Sequence, residues 1–570
     1  MSSKKSIINC HTHIFTGNHV PPYLAKTFVP IVYKILHLGL IIDIFKWWYK
    51  GPNTFFYSNR YKKFQQVIYK GKMLIKRNIL LNIIYWILGI WLTLQLLFII
   101  FDFAYNSETY PFYLLKIRNL LVKYRLDQFN GNWLVKTTFA IILILFFPSL
   151  RNLLVWLLKK LFKVLNSLPG KQTKELLQRY LNIGRFAFHI GQDSIFQRLR
   201  YQYPNGTEFI VLQMDMEFME AGKVREDYHV QLQGIAKLKA DPKFTAIIHP
   251  FIFIDPRRMD KEPDFFRCNN VYGKIVLEDC TIKTYIEQKG FAGFKIYPAL
   301  GYYPFDERLL PLWKYAAEHN IPIMTHCIRG TIFYRGKKKK EWDYHPIFEQ
   351  SATNGTYVPL LLPETKNMDF SVNFTHPLNY LCLLDDDLLA KVLARSTNEK
   401  LHEIFGFNGK EITNSLKNLK ICFGHFGGDD EWKRYFELDR ENYSTQVIKN
   451  PKIGITFLKS LYNQPRPGKI EQLWKYCDWY SIICSMMLQY ENIYSDISYI
   501  SHDNAIHALL KRTLQQENTK LRQRVLFGTD FYVVRNHKSE KQILADTIGG
   551  LSEEEFDLIA RTNPRTFLEL

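Results

Sequence analysis

The chain has 570 residues, 47% of them hydrophobic, and a formal charge of +21; that length exceeds one barrel-sized domain and leaves room for an added segment. The eight cysteines (10, 268, 280, 327, 382, 422, 477 and 484) form no Cys-x-x-Cys pair, which excludes a disulfide-stapled scaffold and suits a reducing compartment. Between His19 and Tyr180, 23 Lys and Arg stand against five acids, so +18 of the +21 falls in the most apolar stretch; this argues against a nucleic-acid partner and for a lipid surface.

The first predicted element is a strand over Ser6–His13, whose apolar start leads into Cys10-His11-Thr12-His13. Positions i and i+2 of a strand share a face, so both imidazoles reach one point. Imidazole is the commonest metal-binding side chain, and His-x-His at a strand end forms half of a metal site. No cleavable signal peptide is expected ahead of this strand.

Residues 21–180 then read as a basic, apolar helical insertion between residues 1–20, the first barrel strand, and 181–570. Phe28 to Lys50, with Trp47, Trp48 and Tyr49, has the pattern of an interfacial helix. Asn78 to Phe101 is 24 residues without a charge, long enough to cross a bilayer core of about 30 Å. Thr137 to Leu150 is a second uncharged run of 14 residues, extendable to about 134–157. Both ends of the insertion must return to the same barrel, which predicts a two-pass hairpin. The lysines and arginines of residues 60–77 and 151–171 outnumber those of the connecting loop, placing the barrel on the cytoplasmic side.

Downstream, strands are predicted over Glu208–Met214, Thr245–Ile252, Gly293–Tyr297, Ile321–His326, Lys420–His425, Asn492–Asp496 and Arg524–Asp530, with helices such as Asp306–His319 and His502–Gln516 between them. Alternation of strand and helix is what a parallel barrel requires. Several strands close on a ligand-type residue, giving His326, His425 and Asp530, and Lys295 lies inside an otherwise apolar strand. Polar groups at buried strand ends are costly unless paired or metal-bound. Arg329 to Leu419 is too long for a simple connection and should shape a pocket. Its Lys337–Lys340 run reads as a solvated face, and His249, His345 and His376 read as structural.

The order His-x-His, strand Lys, strand His, strand His, strand Asp resembles the metal-dependent amidohydrolase superfamily. The phrases Gly293-Phe-Lys-Ile-Tyr-Pro, Met324-Thr-His-Cys, Phe423-Gly-His-Phe-Gly-Gly and Leu526-Phe-Gly-Thr-Asp-Phe are most similar to its amidohydrolase-2 branch, which includes relatives of aminocarboxymuconate-semialdehyde decarboxylase. The resemblance covers residues 1–15 and roughly 181–570. It implies an α/β fold, a distorted (β/α)8 TIM barrel, with a divalent metal ion, Zn²⁺ expected, at the C-terminal mouth.

In that arrangement His11, His13, His326 and Asp530 hold the metal. Asp530 also serves as general base, and His425 acts beside the metal as acid/base or stabiliser. In a binuclear variant His326 and His425 hold a second ion, with Lys295, carboxylated, as the bridge; one metal is the reading favoured here. Hydrolysis of an amide, lactone or ester by a metal-activated water is the expected reaction on a small-molecule substrate. Decarboxylation of a small unsaturated or aromatic acid is the alternative. A catalytically inactive membrane-bound scaffold is the reading of another class, and homo-oligomers are compatible with all three.

Overall fold

The computed structural model describes residues 5–21, 63, 66–67, 70–71, 73–75, 77–104, 112–129, 131–147, 191–329, 334–353, 355–363, 369–437, 442–459 and 468–570. The chain divides into two units, Met1–Lys46 with Gln178–Leu570, and Trp47–Leu177.

Among the described residues of the first unit there are twelve strands: β1 Ile8–Thr12, β2 Glu208–Leu212, β3 Ile248–Phe253, β4 Cys268–Val271, β5 Lys274–Leu277, β6 Gly293–Ile296, β7 Ile323–Ile328, β8 Tyr344–Ser351, β9 Tyr357–Leu361, β10 Ile421–Gly427, β11 Ile493–Asp496 and β12 Val525–Leu526. Eight of them form one parallel sheet in the order β1-β2-β3-β6-β7-β10-β11-β12. The end of β12 returns to β1. Cys10 N donates to Phe527 O at 2.8 Å, Asp530 N donates to His11 O at 2.9 Å, and Thr12 pairs in parallel with Phe531. The sheet is therefore a nearly closed eight-stranded parallel barrel, as the strand–helix alternation predicts. β4–β5 and β8–β9 are separate antiparallel hairpins. The second of these lies within the long Arg329–Leu419 segment.

Helices cover the barrel where the sequence supplies a cap and an apolar face. Asp227 accepts from Val230 N at 3.0 Å to start Tyr228–Ala240, and Asp478 accepts from Ser481 N at 2.6 Å to start Trp479–Gln489. The helix predicted from Asp306 begins at Leu310, because Pro311 sets a first helical turn. Outward-facing strand residues such as Phe209, Val211 and Phe294 join helix residues such as Trp313 in one core. Inside the barrel, Ile8, Cys10, Ile210, Phe251, Met324 and Cys422 fill a second core. A filled interior leaves only the C-terminal mouth for chemistry.

Within the barrel sheet two strands depart from regular pairing, and both departures aim a histidine. Between Asn9 and Thr12, β1 spends three residues where β2 spends two, from Phe209 to Val211. Between Gly424 and Gly427, β10 likewise spends three where β7 spends two, from His326 to Ile328. An extra residue inverts the inward–outward alternation beyond it. Cys10 faces the inner core, and His11 directly after it also turns inward.

In the second unit, α1 Ile79–Ala104, α2 Phe112–Lys123 and α3 Trp133–Phe146 are helical. Asp102 ends the uncharged run and is held by Arg118 Nη2 at 2.7 Å. Leu92 packs with Phe139 and Leu143, and Phe129 stacks on Phe139 at 4.4 Å. Ile79–Ile100 is the one helix among the described residues long and apolar enough to cross a membrane, and only 17% of its most apolar window is buried. α3 is shorter, at 14 residues. The expected continuation of the second crossing beyond residue 147 and the Phe28–Lys50 helix lie outside the described residues.

Candidate metal centre

The site is built at the mouth from the ends of β1, β7, β10, β11 and β12, with Lys295 from β6. Hydrogen bonds assign the imidazole tautomers. His13 Nδ1 lies 2.9 Å from Leu212 O, a group that only accepts, so the proton is on Nδ1 and the Nε2 lone pair is free. His11 Nδ1 lies 2.8 Å from Asp496 Oδ2, which likewise leaves its Nε2 unprotonated, buried and without a hydrogen-bond partner. Both free lone pairs face Asp530: His13 Nε2 is 3.3 Å and His11 Nε2 is 3.8 Å from Asp530 Oδ1.

The three atoms lie within 4.8 Å of one another. Two lone pairs and a carboxylate converging in a buried space repel one another unless a cation sits among them. Two nitrogen donors and one oxygen donor suit a divalent first-row ion, with Zn²⁺ well matched. The residues present therefore fit the expected metal.

The second histidine pair is arranged differently. His425 Nδ1 lies 3.3 Å from Ser498 O and 2.9 Å from Ser498 Oγ, so it carries the proton. Its Nε2 then accepts from His326 Nδ1 at 3.1 Å. That leaves His326 Nε2 as a buried lone pair with no hydrogen-bond partner. His326 stands outside the close triad of His11, His13 and Asp530, and neither nitrogen of His425 is open.

Two positions needed backbone that most residues avoid. His425 has φ +70° and Asp530 φ +64°. Left-handed conformations cost a non-glycine residue about 1–3 kcal/mol and concentrate at functional sites. Two glycines clear the space for His11: a Cβ on Gly424 would lie 3.0 Å from its Cε1, and one on Gly528 would lie 2.9 Å from its Cβ.

Electrostatics keep the His11, His326 and His425 imidazoles neutral and able to ligate. Burial, then the Lys295 ammonium, hold His11 well below its ordinary pKa. Burial and His425 do the same to His326, and burial with His11 brings His425 down to about 4. Burial lowers Lys295 to about 8, against the opposing pull of Asp496 and Asp530. Its Nζ is buried without a hydrogen-bond partner.

All six expected residues, His11, His13, Lys295, His326, His425 and Asp530, thus meet at one mouth. Asp496 and Ser498 are the site residues that sequence reasoning passed over. Asp496 accepts from His11 Nδ1 and from His425 N at 3.0 Å, and Ser498 bridges both rings at 3.0 and 2.9 Å. The signal was present, since Asp496 closes the strand predicted over Asn492–Asp496 just as His326 closes the one predicted over Ile321–His326. His249, His345 and His376 lie elsewhere. His249 pairs with Glu208 at 2.8 Å, His345 with Asn379 at 3.0 Å, and His376 stacks on Trp474 at 3.9 Å. Lys337–Lys340 are exposed, with Lys338 paired to Asp343 at 2.5 Å.

No family model matches the chain, and no curated protein matches it. Solved structures do. A 5-carboxyvanillate decarboxylase from Sphingomonas paucimobilis is 10% identical, with 66% of this chain and 82% of that one covered and a TM-score of 0.34. An amidohydrolase from Mycobacterium avium subsp. paratuberculosis is 14% identical, with 66% and 74% covered and a TM-score of 0.29. A structure described as an amidohydrolase from Staphylococcus aureus is 10% identical, with 66% and 92% covered and a TM-score of 0.32. At these values the barrel assignment rests on this chain's own strand order.

Proposed function

We propose that the protein is a membrane-anchored, metal-dependent hydrolase of the amidohydrolase kind, acting on an amide, lactone or ester bond. The observation that carries this reading is the convergence of the His11, His13 and Asp530 donor atoms, with a cation-shaped repulsion at its centre. His326 Nε2 is the further candidate ligand. A bound divalent ion supplies Lewis acidity to a substrate carbonyl and lowers the pKa of a water towards neutrality.

The chain's own groups do the rest. Asp530, held at the end of β12, accepts the proton of the attacking water at a carboxylate oxygen. Lys295, a buried ammonium without a partner, stabilises the anion that develops on the substrate. His425 fixes the His326 tautomer through their hydrogen bond and holds a proton at Nδ1 against Ser498. Asp496 orients His11 by accepting its Nδ1 proton, which also makes Nε2 more basic.

Decarboxylation is the second reading, favoured by Lys295: an unpartnered ammonium beside the donor triad also suits a substrate carboxylate. The two reactions separate by products. Metal-loaded protein incubated with panels of amides, lactones, esters and unsaturated or aromatic carboxylates in ¹⁸O-water should place ¹⁸O in a product carboxylate. Release of CO₂ from an acid, without ¹⁸O in the remaining product, overturns hydrolysis in favour of decarboxylation.

The anchor is proposed from α1, whose apolar side chains, including Ile79, Leu80, Trp86 and Ile87, are exposed. The insertion runs from the end of β1 to the start of β2, so a chain that crosses once must return. α3 and the residues after it are the proposed return segment, with the barrel on the cytoplasmic side.

A further inference from the structure

Behind the donor triad lies a connected set of buried polar groups that the chemistry above does not use; it ends on Glu540, whose Oε1 is buried without a hydrogen-bond partner. Asn9 Nδ2 donates to Tyr203 Oη and to Thr529 Oγ1, both at 2.8 Å. Each hydroxyl then donates to the same atom, Glu540 Oε2, Tyr203 at 2.6 Å and Thr529 at 2.8 Å. Asn9 Oδ1 accepts from His11 N at 3.2 Å. Asn9, Glu540 and Thr529 are fully inaccessible to solvent, and Tyr203 is buried.

The direction of both hydroxyl bonds depends on one group. A hydroxyl that accepts from Asn9 must send its proton elsewhere, and both send it to Glu540. Without an acceptor there, two hydroxyl protons and the Asn9 amide lose their arrangement together, since buried polar groups left unpaired are costly. Glu540 sits in the first turn of Glu540–Gly550, capped by Ser539, where a helix N-terminus favours an acceptor.

The location gives the set its meaning. Asn9 lies two residues before His11 on β1, and Thr529 one residue before Asp530 after β12. The seam between these strands is the least regular in the barrel, because β12 is only two residues long. Two of the triad's three donors project from one side of it and the third from the other. A metal site demands ligand placement to roughly 0.5 Å.

We propose that Glu540, resting on the metal-centre reading above, is a positioning residue: its buried carboxylate locks the β1–β12 seam through Tyr203, Thr529 and Asn9 and so sets the spacing of His11, His13 and Asp530.

The test is Zn²⁺ affinity by chelator competition, with apo-protein melting measured in parallel, on full-length detergent-purified chain. Glu540→Ala should weaken Zn²⁺ binding by about tenfold or more. Glu540→Gln retains an oxygen able to accept from both hydroxyls and should restore affinity to within about threefold of wild type. Tyr203→Phe removes one arm of the set and should fall between, which also decides the matter if the alanine variant does not fold. A purely structural role would lower the melting temperature and leave affinity within about twofold of wild type, overturning the proposal. Wild-type protein that binds no Zn²⁺ would overturn the metal centre itself, and this proposal with it.

Discussion

His425 Nε2 accepts a hydrogen bond from His326 Nδ1 at 3.1 Å, and the Ser498 carbonyl fixes the direction of that bond by taking the proton on the other side of the His425 ring. In this arrangement His425 offers no open nitrogen, so a second ion at this pair would require the bond to break. Elemental analysis of protein purified after Zn²⁺ supply should therefore give close to one ion per chain. Two ions per chain, together with a carbamate carbon on Lys295 by ¹³C NMR, would sink the single-metal arrangement.

Asp530→Asn tests base and ligand together. Asparagine tolerates the left-handed backbone that Asp530 adopts, so the swap is mild structurally. Turnover should fall about 10²–10⁴-fold, the usual worth of a positioned general base, with the barrel still folded. Turnover within a few-fold of wild type would remove Asp530 from the chemistry.

The strands and the strand-end ligands were legible because buried parallel strands read as short apolar runs, and a polar residue closing such a run stands out. All eight predicted barrel strands occur, within a few residues. What alternation alone could not convey is how His11 and His425 come to face the axis. Cys10 and Cys422 point inward, and simple period-two counting from either sends the following histidine outward. The extra residue in β1 and in β10 corrects the parity, and a bulge leaves no composition signal in one sequence. Asp496 escaped for a different reason. It acts on His11 across the barrel, 485 residues away in sequence, so its role exists only in three dimensions.

Gly424→Ala probes the packing that admits His11. The added Cβ would stand 2.8 Å from the Thr325 carbonyl oxygen and 3.0 Å from His11 Cε1. Backbone cannot retreat cheaply, so the variant should lose about 1–3 kcal/mol and bind metal more weakly. Gly549→Ala is the control, since a Cβ there meets nothing within 4 Å. Denaturant titration of both, with an unchanged Gly424→Ala midpoint, would refute the close approach.

Apo-protein stability should fall as pH drops from about 6.5 to 4. Burial is the first cause in every case: it brings His425 to about 4 and His345 to about 3, and holds His11, His326 and His376 well below their ordinary value. A histidine whose folded pKa is lowered takes up its proton in the unfolded chain first, so its contribution is intact above the unfolded value and lost as pH falls below it. Glu540 and Asp478, raised by burial to about 7, and Asp215, raised to about 6, act in the opposite sense: they lose stability as pH rises. Burial also lowers His19 and His507 and raises Asp385, so seven lowered imidazoles stand against four raised carboxyls among the described residues and outweigh them across this window. Melting temperature in chelator should thus decline on acidification below about 6.5; a rise there would show that the carboxyls dominate.

The insertion makes the boldest claim on the cell. An embedded α1 should keep the protein in the membrane fraction through high salt and alkaline wash. Exposed charges are screened within about 10 Å at 0.1 M salt, so a merely electrostatic association would be released. Ile79–Ile100, 22 residues long, can span the hydrocarbon, since a helix rises about 1.5 Å per residue. If the chain returns through α3 and the residues beyond it, a cysteine placed near Glu108 should be labelled from the opposite side to one placed near Glu517. Labelling of both from one side would mean that the apolar helices lie in the interface without crossing. Replacing residues 70–165 with a short polar linker keeps β1 connected to β2 without α1. That variant should be soluble without detergent and should still bind one Zn²⁺, because every donor lies outside the replaced span. Full-length protein that stays soluble without detergent would instead make α1 a lid helix and end the membrane assignment.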